Sequence, residues 1–163
     1  MKLMLKFLHL LGVIGFMGSA VCAVLLAALA TASAPPQAAM LRQVLVPLLG
    51  WVLMPALLLA VLSGALAMMV HAPFLSARWV WVKAGAGMLI GGAAMFSWQP
   101  AVELVASLTS SLAASGTASG AIDRAALTQA LHTEAVDAWG CLVLSLFAVA
   151  LGVWRPQLGG GSS

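Results

Sequence analysis

The chain has 163 residues, of which 63% are hydrophobic and only 7% charged, with a mean hydropathy of +1.11. A soluble domain carries about 25% charged residues, so this chain cannot cover a water-facing surface and is predicted to be an integral membrane protein. Its net charge of +3 comes from seven scattered basic residues with no basic stretch, which argues against nucleic acid as a partner.

The chain opens MKLMLKFLHLLGVIGFMGSA, with Lys2 and Lys6 ahead of an apolar stretch. From Phe7 to Ala30 that stretch is 24 residues long. A secretory h-region runs about 7–15 residues, so a retained first span over residues 3–31 is predicted. The prolines of SAPP forbid its continuation. The second span is expected over 41–70, with Pro47 and Pro55 kinking it. The third starts near Ala77 and crosses by residue 98, and Pro100 either kinks it or starts a further helical piece reaching Ala114. ASGTASGA breaks the chain, Asp123 or a preceding Ser caps a last helix, and that helix stops at RPQ after Trp154.

A helix over Ala121–Trp154 would be about 50 Å long against a hydrocarbon core of about 30 Å. The fourth crossing is therefore placed at 136–154, and 99–137 is predicted to project as an extramembrane helical hairpin. Leu104, Leu108 and Leu112 mark the apolar face of one arm, Leu127 and Leu131 that of the other. Residues 1–157 read as a single all-α, four-helix transmembrane bundle, and 158–163 (LGGGSS) as a linker-like tail.

Charge placement orients the bundle. With both termini inside, Lys2, Lys6, Arg78, Lys83 and Arg155 lie on the cytoplasmic side and Arg42 and Arg124 outside, five basic residues against two. All four acids, Glu103, Asp123, Glu134 and Asp137, fall outside. The expected location is a bacterial inner membrane, in contact with lipid and open to homo-oligomers or a larger membrane complex.

Ionisable residues inside a membrane are costly, and each needs a reason. His9 is the one polar ring of the first span, and His71 ends the second on the same side. Gly12 follows His9 by three positions, while Ala67, Gly64 and Ala60 precede His71 at helical spacing. Small residues of this kind leave a smooth trough. A flat macrocycle such as haem b needs that shape, with an axial nitrogen above and below the iron. They are equally how membrane helices pack closely, and proton or quinone chemistry is a third use. Lys83 sits one turn beyond the Trp79–Trp81 belt, where it either snorkels to the surface or meets an anionic group such as a haem propionate, with Arg78 on the same side.

Cys22 and Cys141 lie 16 and 14 residues from Lys6 and Arg155, so they share a depth. With nine methionines present, a soft-metal path for copper is an alternative to a role as small buried hydrophobes. Outside, Glu103, His132, Glu134 and Asp137 are expected as a solvated face, with a metal site as the competing possibility. No catalytic set is legible, which leaves open whether the chain is an enzyme.

LKFLHLLGVIGFMG, RQVLVPLLGWVLMPALLLAVLSGALAMM and ARWVWVKAGAGMLI resemble a family of small uncharacterised bacterial four-helix integral membrane proteins. Over residues 1–95 the chain is distantly similar to copper-resistance protein D domains and to haem-binding, protoporphyrinogen-oxidase-like membrane proteins. Those relatives share a first-helix His after K-x-x, matched by Lys6 and His9, and a Lys after an aromatic segment, matched by Lys83. The resemblance implies His9 as an axial haem ligand, and the expected function is electron transfer through haem b or a related redox cofactor. The chain has no tyrosine and lacks the relatives' Pro-Arg-rich end of helix one, so their oxidase activity is not carried over.

The orientation is checked by labelling in intact cells. A cysteine placed at Gly116 is expected to react with an impermeant maleimide and one at Gln157 to stay protected; the reverse pattern overturns the assignment.

Overall fold

A computed structural model describes residues 2–70, 78–115 and 121–154. His71 lies outside the described residues, as do the side chain of Arg78 and the serine expected to cap the last helix; that helix begins at Ala121, so Asp123 stands inside it and not at its cap. All described elements are helical, with no strand. The first span is one helix, Lys2–Ala32. The second runs through Pro35–Pro47, Leu48–Leu53 and Met54–Val70, and the third through Arg78–Ala93, Ala94–Trp98 and Gln99–Ser115. The fourth is Ala121–Trp154. Each of the four is long and apolar enough to cross a membrane, so the protein is a multi-pass helical bundle.

The second span starts at Pro35, six residues before the expected Leu41. Proline lacks the N–H that the first helical turn leaves unused, so Pro35 and Pro36 begin a helix that they could not continue. Ala34, pushed from the helical region by the proline after it, is extended at φ −62° and ψ 151°. The first two spans thereby meet in a turn only two residues long.

Both middle spans carry a widened π turn, and each ends beside a proline. In the second span Met54 N–H bonds to Leu49 O, immediately before Pro55. In the third, Gln99 N–H bonds to Ala94 O, immediately before Pro100. A proline ring clashes with the carbonyl four residues back, and widening the ladder by one residue relieves the clash without breaking the helix. Pro100 therefore neither ends nor restarts the third span. A β-carbon at Gly91 would touch Leu57 Cδ2 at 4.0 Å, which fixes the register of these antiparallel spans. Both π turns lie on the same side of that contact, within the same band of depth.

The spans form a ring in chain order, first beside second, second beside third, third beside fourth and fourth beside first. At the end where the second span begins, neighbouring spans pack together. There Pro35–Pro47 lies along Gln99–Ser115, and Gln99–Ser115 along the fourth span. The arms expected to form an outer hairpin thus have Pro35–Pro47 packed with them as a third member. Toward the N-terminal end, Met54–Val70 and Arg78–Ala93 touch sparsely, and the bundle resolves into a first–second pair and a third–fourth pair. The core sits at mid-depth, where Leu45, Leu49, Leu53, Trp98, Val102 and Cys141 are fully buried. Outward-facing positions stay apolar, among them Phe7, Ile14, Trp51, Leu62 and Phe96, as a lipid-facing surface requires.

The tightest contact joins the first and second spans. A β-carbon at Gly12 would stand 2.5 Å from Ala60 N and 2.9 Å from Ala56 O, so the two backbones touch. Gly18 faces open space on the same helix. Gly12→Ala is therefore expected to destabilise the protein by about 1–3 kcal/mol through overpacking, and Gly18→Ala to be neutral or stabilising. Thermal unfolding in a mild detergent reads the difference.

Candidate functional site

In hydrocarbon a polar side chain finds no water, so its partners identify the places where the bundle holds chemistry. Serines on the helices solve the problem locally. Ser19 and Ser145 each donate to a carbonyl four residues back, at 2.8 and 2.6 Å. Two further sets of polar side chains, at two depths, find partners on neighbouring spans.

At the N-terminal end, His9 Nδ1 lies 2.8 Å from the carbonyl oxygen of Ala60 and 3.4 Å from Ser63 Oγ. A carbonyl oxygen only accepts, so Nδ1 carries the proton and donates it. In the neutral ring Nε2 then holds the lone pair, and it has no protein partner among the described residues. The ring lies against Gly64, where a β-carbon would come within 3.3 Å of His9 Cε1. The small residues Ala60 and Gly64 do form a trough, but the imidazole of His9 itself fills it, and Gly12 closes the seam beside it. The expected open space between the first two spans is absent at this depth.

Lys83 is half-buried on the third span. It shares one stripe with Val80, Ala86, Ile90 and Ala94, all buried, so it stands on the inward side of its helix. It has no hydrogen-bond or ion-pair partner among the described residues. From the Leu57–Gly91 contact, Lys83 is eight residues toward the N-terminal end and Gly64, beside His9, is seven. At 1.5 Å per residue both lie about 11 Å along, so His9 and Lys83 share a depth.

The second polar level lies at the opposite end of the bundle. Arg42, 2% exposed, donates from its guanidinium to Glu134 Oε2 of the fourth span, which is 4% exposed. A second N–H of Arg42 reaches Ala27 O of the first span at 3.4 Å. One side chain thus ties three spans. One turn along the fourth span, Asp137 accepts from Ser97 Oγ at 2.5 Å, next to Trp98 in the π turn. Beside the ion pair is a cavity of about 240 Å³, lined by Ala27, Thr31, Arg42, Trp98, Glu134 and Trp139 among others.

This level corrects the expectation of a solvated acidic face. Glu134 turns into the bundle and Asp137 to Ser97, while Glu103 accepts from Gln99 at 3.2 Å and His132 is exposed. The four do not converge, and the described residues contain no cluster of three metal-ligating side chains. Cys22 faces outward and Cys141 lies in the core, so the shared depth of the two thiols does not bring them into one environment. The Arg42–Glu134 pair was not legible as a pair, since 92 residues separate its members. The signal available was the cost of a lone arginine and a lone glutamate within apolar helices.

Removing one member of the pair strands the other in a buried site. Arg42→Ala or Glu134→Ala is expected to cost about 3–5 kcal/mol, and the double replacement Arg42→Met with Glu134→Leu to recover most of it. Denaturant titration of the four proteins in the same detergent measures both effects.

Comparison with family models, with curated proteins and with solved structures gave no match to this chain.

Proposed function

We propose that this protein is a bacterial inner-membrane bundle, N-terminus and C-terminus inside, that binds haem b for one-electron transfer through His9. The observation that carries this reading is the state of the imidazole. Its Nδ1 faces the Ala60 carbonyl, as the outer nitrogen of a metal-ligating histidine does, which leaves Nε2 as the nitrogen that would ligate. Lys83, inward-facing, at the same depth and without a partner among the described residues, is the cation for a propionate, with Arg78 one and a half turns before it. Because Gly12 closes the first–second seam, the group would lodge where the two helix pairs part, rather than in the seam. Bound haem supplies the redox change. The chain supplies a ligand of fixed tautomer, a cation and a surround that excludes water. His71, the second expected ligand, lies outside the described residues.

A second reading has its own observation. The imidazole is already seated against Gly64 and bonded to Ala60, which is enough for a packing pin. On that reading the bundle is a non-catalytic subunit or assembly factor, whose closely packed end, including the arms within residues 99–137, stands outside as a docking surface.

Visible absorption of protein purified from haem-replete cells separates the two. Haem binding gives a Soret band that Leu66→Ala keeps and His9→Ala loses or converts from low to high spin. Lys83→Ala lowers haem occupancy by a smaller factor. Protein that is free of haem under these conditions overturns the first reading and leaves the second.

A further inference from the structure

The cavity at the Arg42 level does not belong to the His9 region; it sits at the other end of the bundle. Its volume of about 240 Å³ is bounded by small residues of the first and fourth spans, two tryptophans and the ion pair. A guanidinium has five N–H groups and no acceptor. Arg42 places one on Glu134 and one on Ala27 O. Three donors of a side chain only 3% exposed, lining this cavity, have no acceptor among the described residues. Every fully buried side-chain nitrogen among the described residues already has a partner, so these remaining N–H groups are spare donors that acceptor oxygens in the cavity can take up.

The surroundings narrow the chemistry. Glu134 cancels the charge of Arg42, so a further anion meets the carboxylate and a cation meets the guanidinium, both at low dielectric. A neutral acceptor carries neither penalty. Ala28, Thr31 and Trp139 are exposed at the rim, so the cavity opens along the first–fourth seam onto the lipid-facing surface. An apolar tail leaves by that route without entering water. Trp98, fully buried, and Trp139 supply indole surface to the part of the ligand next to its polar atom.

We propose that this cavity binds a neutral, carbonyl-bearing lipid, whose carbonyl oxygen accepts from the free N–H groups of Arg42 and whose apolar tail runs out between the first and fourth spans. Two membrane sources offer that chemistry, a quinone ring with an alkyl tail and the ester carbonyl of a diacylglycerol. The proposal does not rest on haem binding, and its test does not read haem.

The full-length protein in nanodiscs of ether-linked phosphatidylcholine, which has no ester carbonyls, is titrated with decyl-1,4-benzoquinone. Trp51, Trp79, Trp81 and Trp154 are first replaced by Phe, so that emission reports on Trp98 and Trp139. Saturable quenching is expected, weakened about tenfold or more by Ala135→Phe, which fills the cavity from its lining and leaves the ion pair intact. Circular dichroism and the unfolding midpoint confirm that this variant folds. Dioctanoylglycerol and decylbenzene are then added as competitors. Displacement by dioctanoylglycerol assigns the carbonyl to an ester lipid as well as to a quinone; none assigns it to the quinone alone. Decylbenzene, lacking a carbonyl, is expected to compete about tenfold less well than the quinone. Quenching that does not saturate, quenching unchanged in Ala135→Phe, or equal competition by decylbenzene overturns the proposal, and the cavity then holds only water or acyl chains.

Discussion

The bundle is organised around one buried charge. Arg42 lies seven residues after Pro35, which starts the second span, and the protein buries it to 2% exposure, so water does not solvate its charge. Its guanidinium has to be neutralised inside the protein, and Glu134 of the fourth span does so while Ala27 of the first accepts another N–H. These partners fix the rotation and depth of three helices relative to one another. The close packing of Pro35–Pro47 on Gln99–Ser115 and the cavity beneath Arg42 both follow from helices brought together at this end. A buried ion pair adds little net stability over apolar residues of the same volume, so its contribution here is to specify which helices meet and at what register.

The two prolines in the middle of the bundle act on the same architecture from the backbone. Pro55 and Pro100 each force a π turn in the preceding residues, and the register of the second and third spans brings the two wide turns to one depth. Leu49, Leu53, Ala94 and Trp98 of these turns are core residues, and Ser97 is placed to donate to Asp137. The irregular backbone is thus protein-covered and sits where helices converge, the setting in which a membrane tolerates it.

The opposite end is built differently. There the contact is backbone to backbone, with Gly12 against Ala56 and Ala60, and His9 folded into the space left by Gly64. The histidine's hydrogen bond to Ala60 satisfies one ring nitrogen, which makes the residue a packing element, and the ligand role proposed for it would fall to the other nitrogen. Lys83 reaches the same depth from the third span, without a partner among the described residues, in the region where the two helix pairs separate. The N-terminal end thus holds a His9 bonded to Ala60 and, among the described residues, a Lys83 without a partner, and the proposed cofactor would lie there.

Much of this was determined by the sequence alone. Run lengths and the scarcity of charge dictate four membrane helices, because about 20 apolar residues are needed to cross the hydrocarbon and a chain this poor in charge cannot cover itself in water. Prolines mark the first turn, and glycine and alanine at helical spacing mark a close seam beside His9. Depth was also legible, since a helix advances a fixed 1.5 Å per residue. Partner and facing were not. A helix apolar all round shows no stripe by which its inward side can be told from its lipid side, so Glu134 reads as part of a solvated face and Arg42 only as a charge on the outer side, although both are buried. Only the tertiary structure decided that Arg42 meets Glu134, that Asp137 turns to Ser97, and that the trough beside His9 is filled by the ring of His9 itself. Each of these is set by the rotation of one helix about its axis against another. In a bilayer that rotation is chosen by the few polar and small residues that find partners, not by the apolar majority, which is as well accommodated by lipid as by protein.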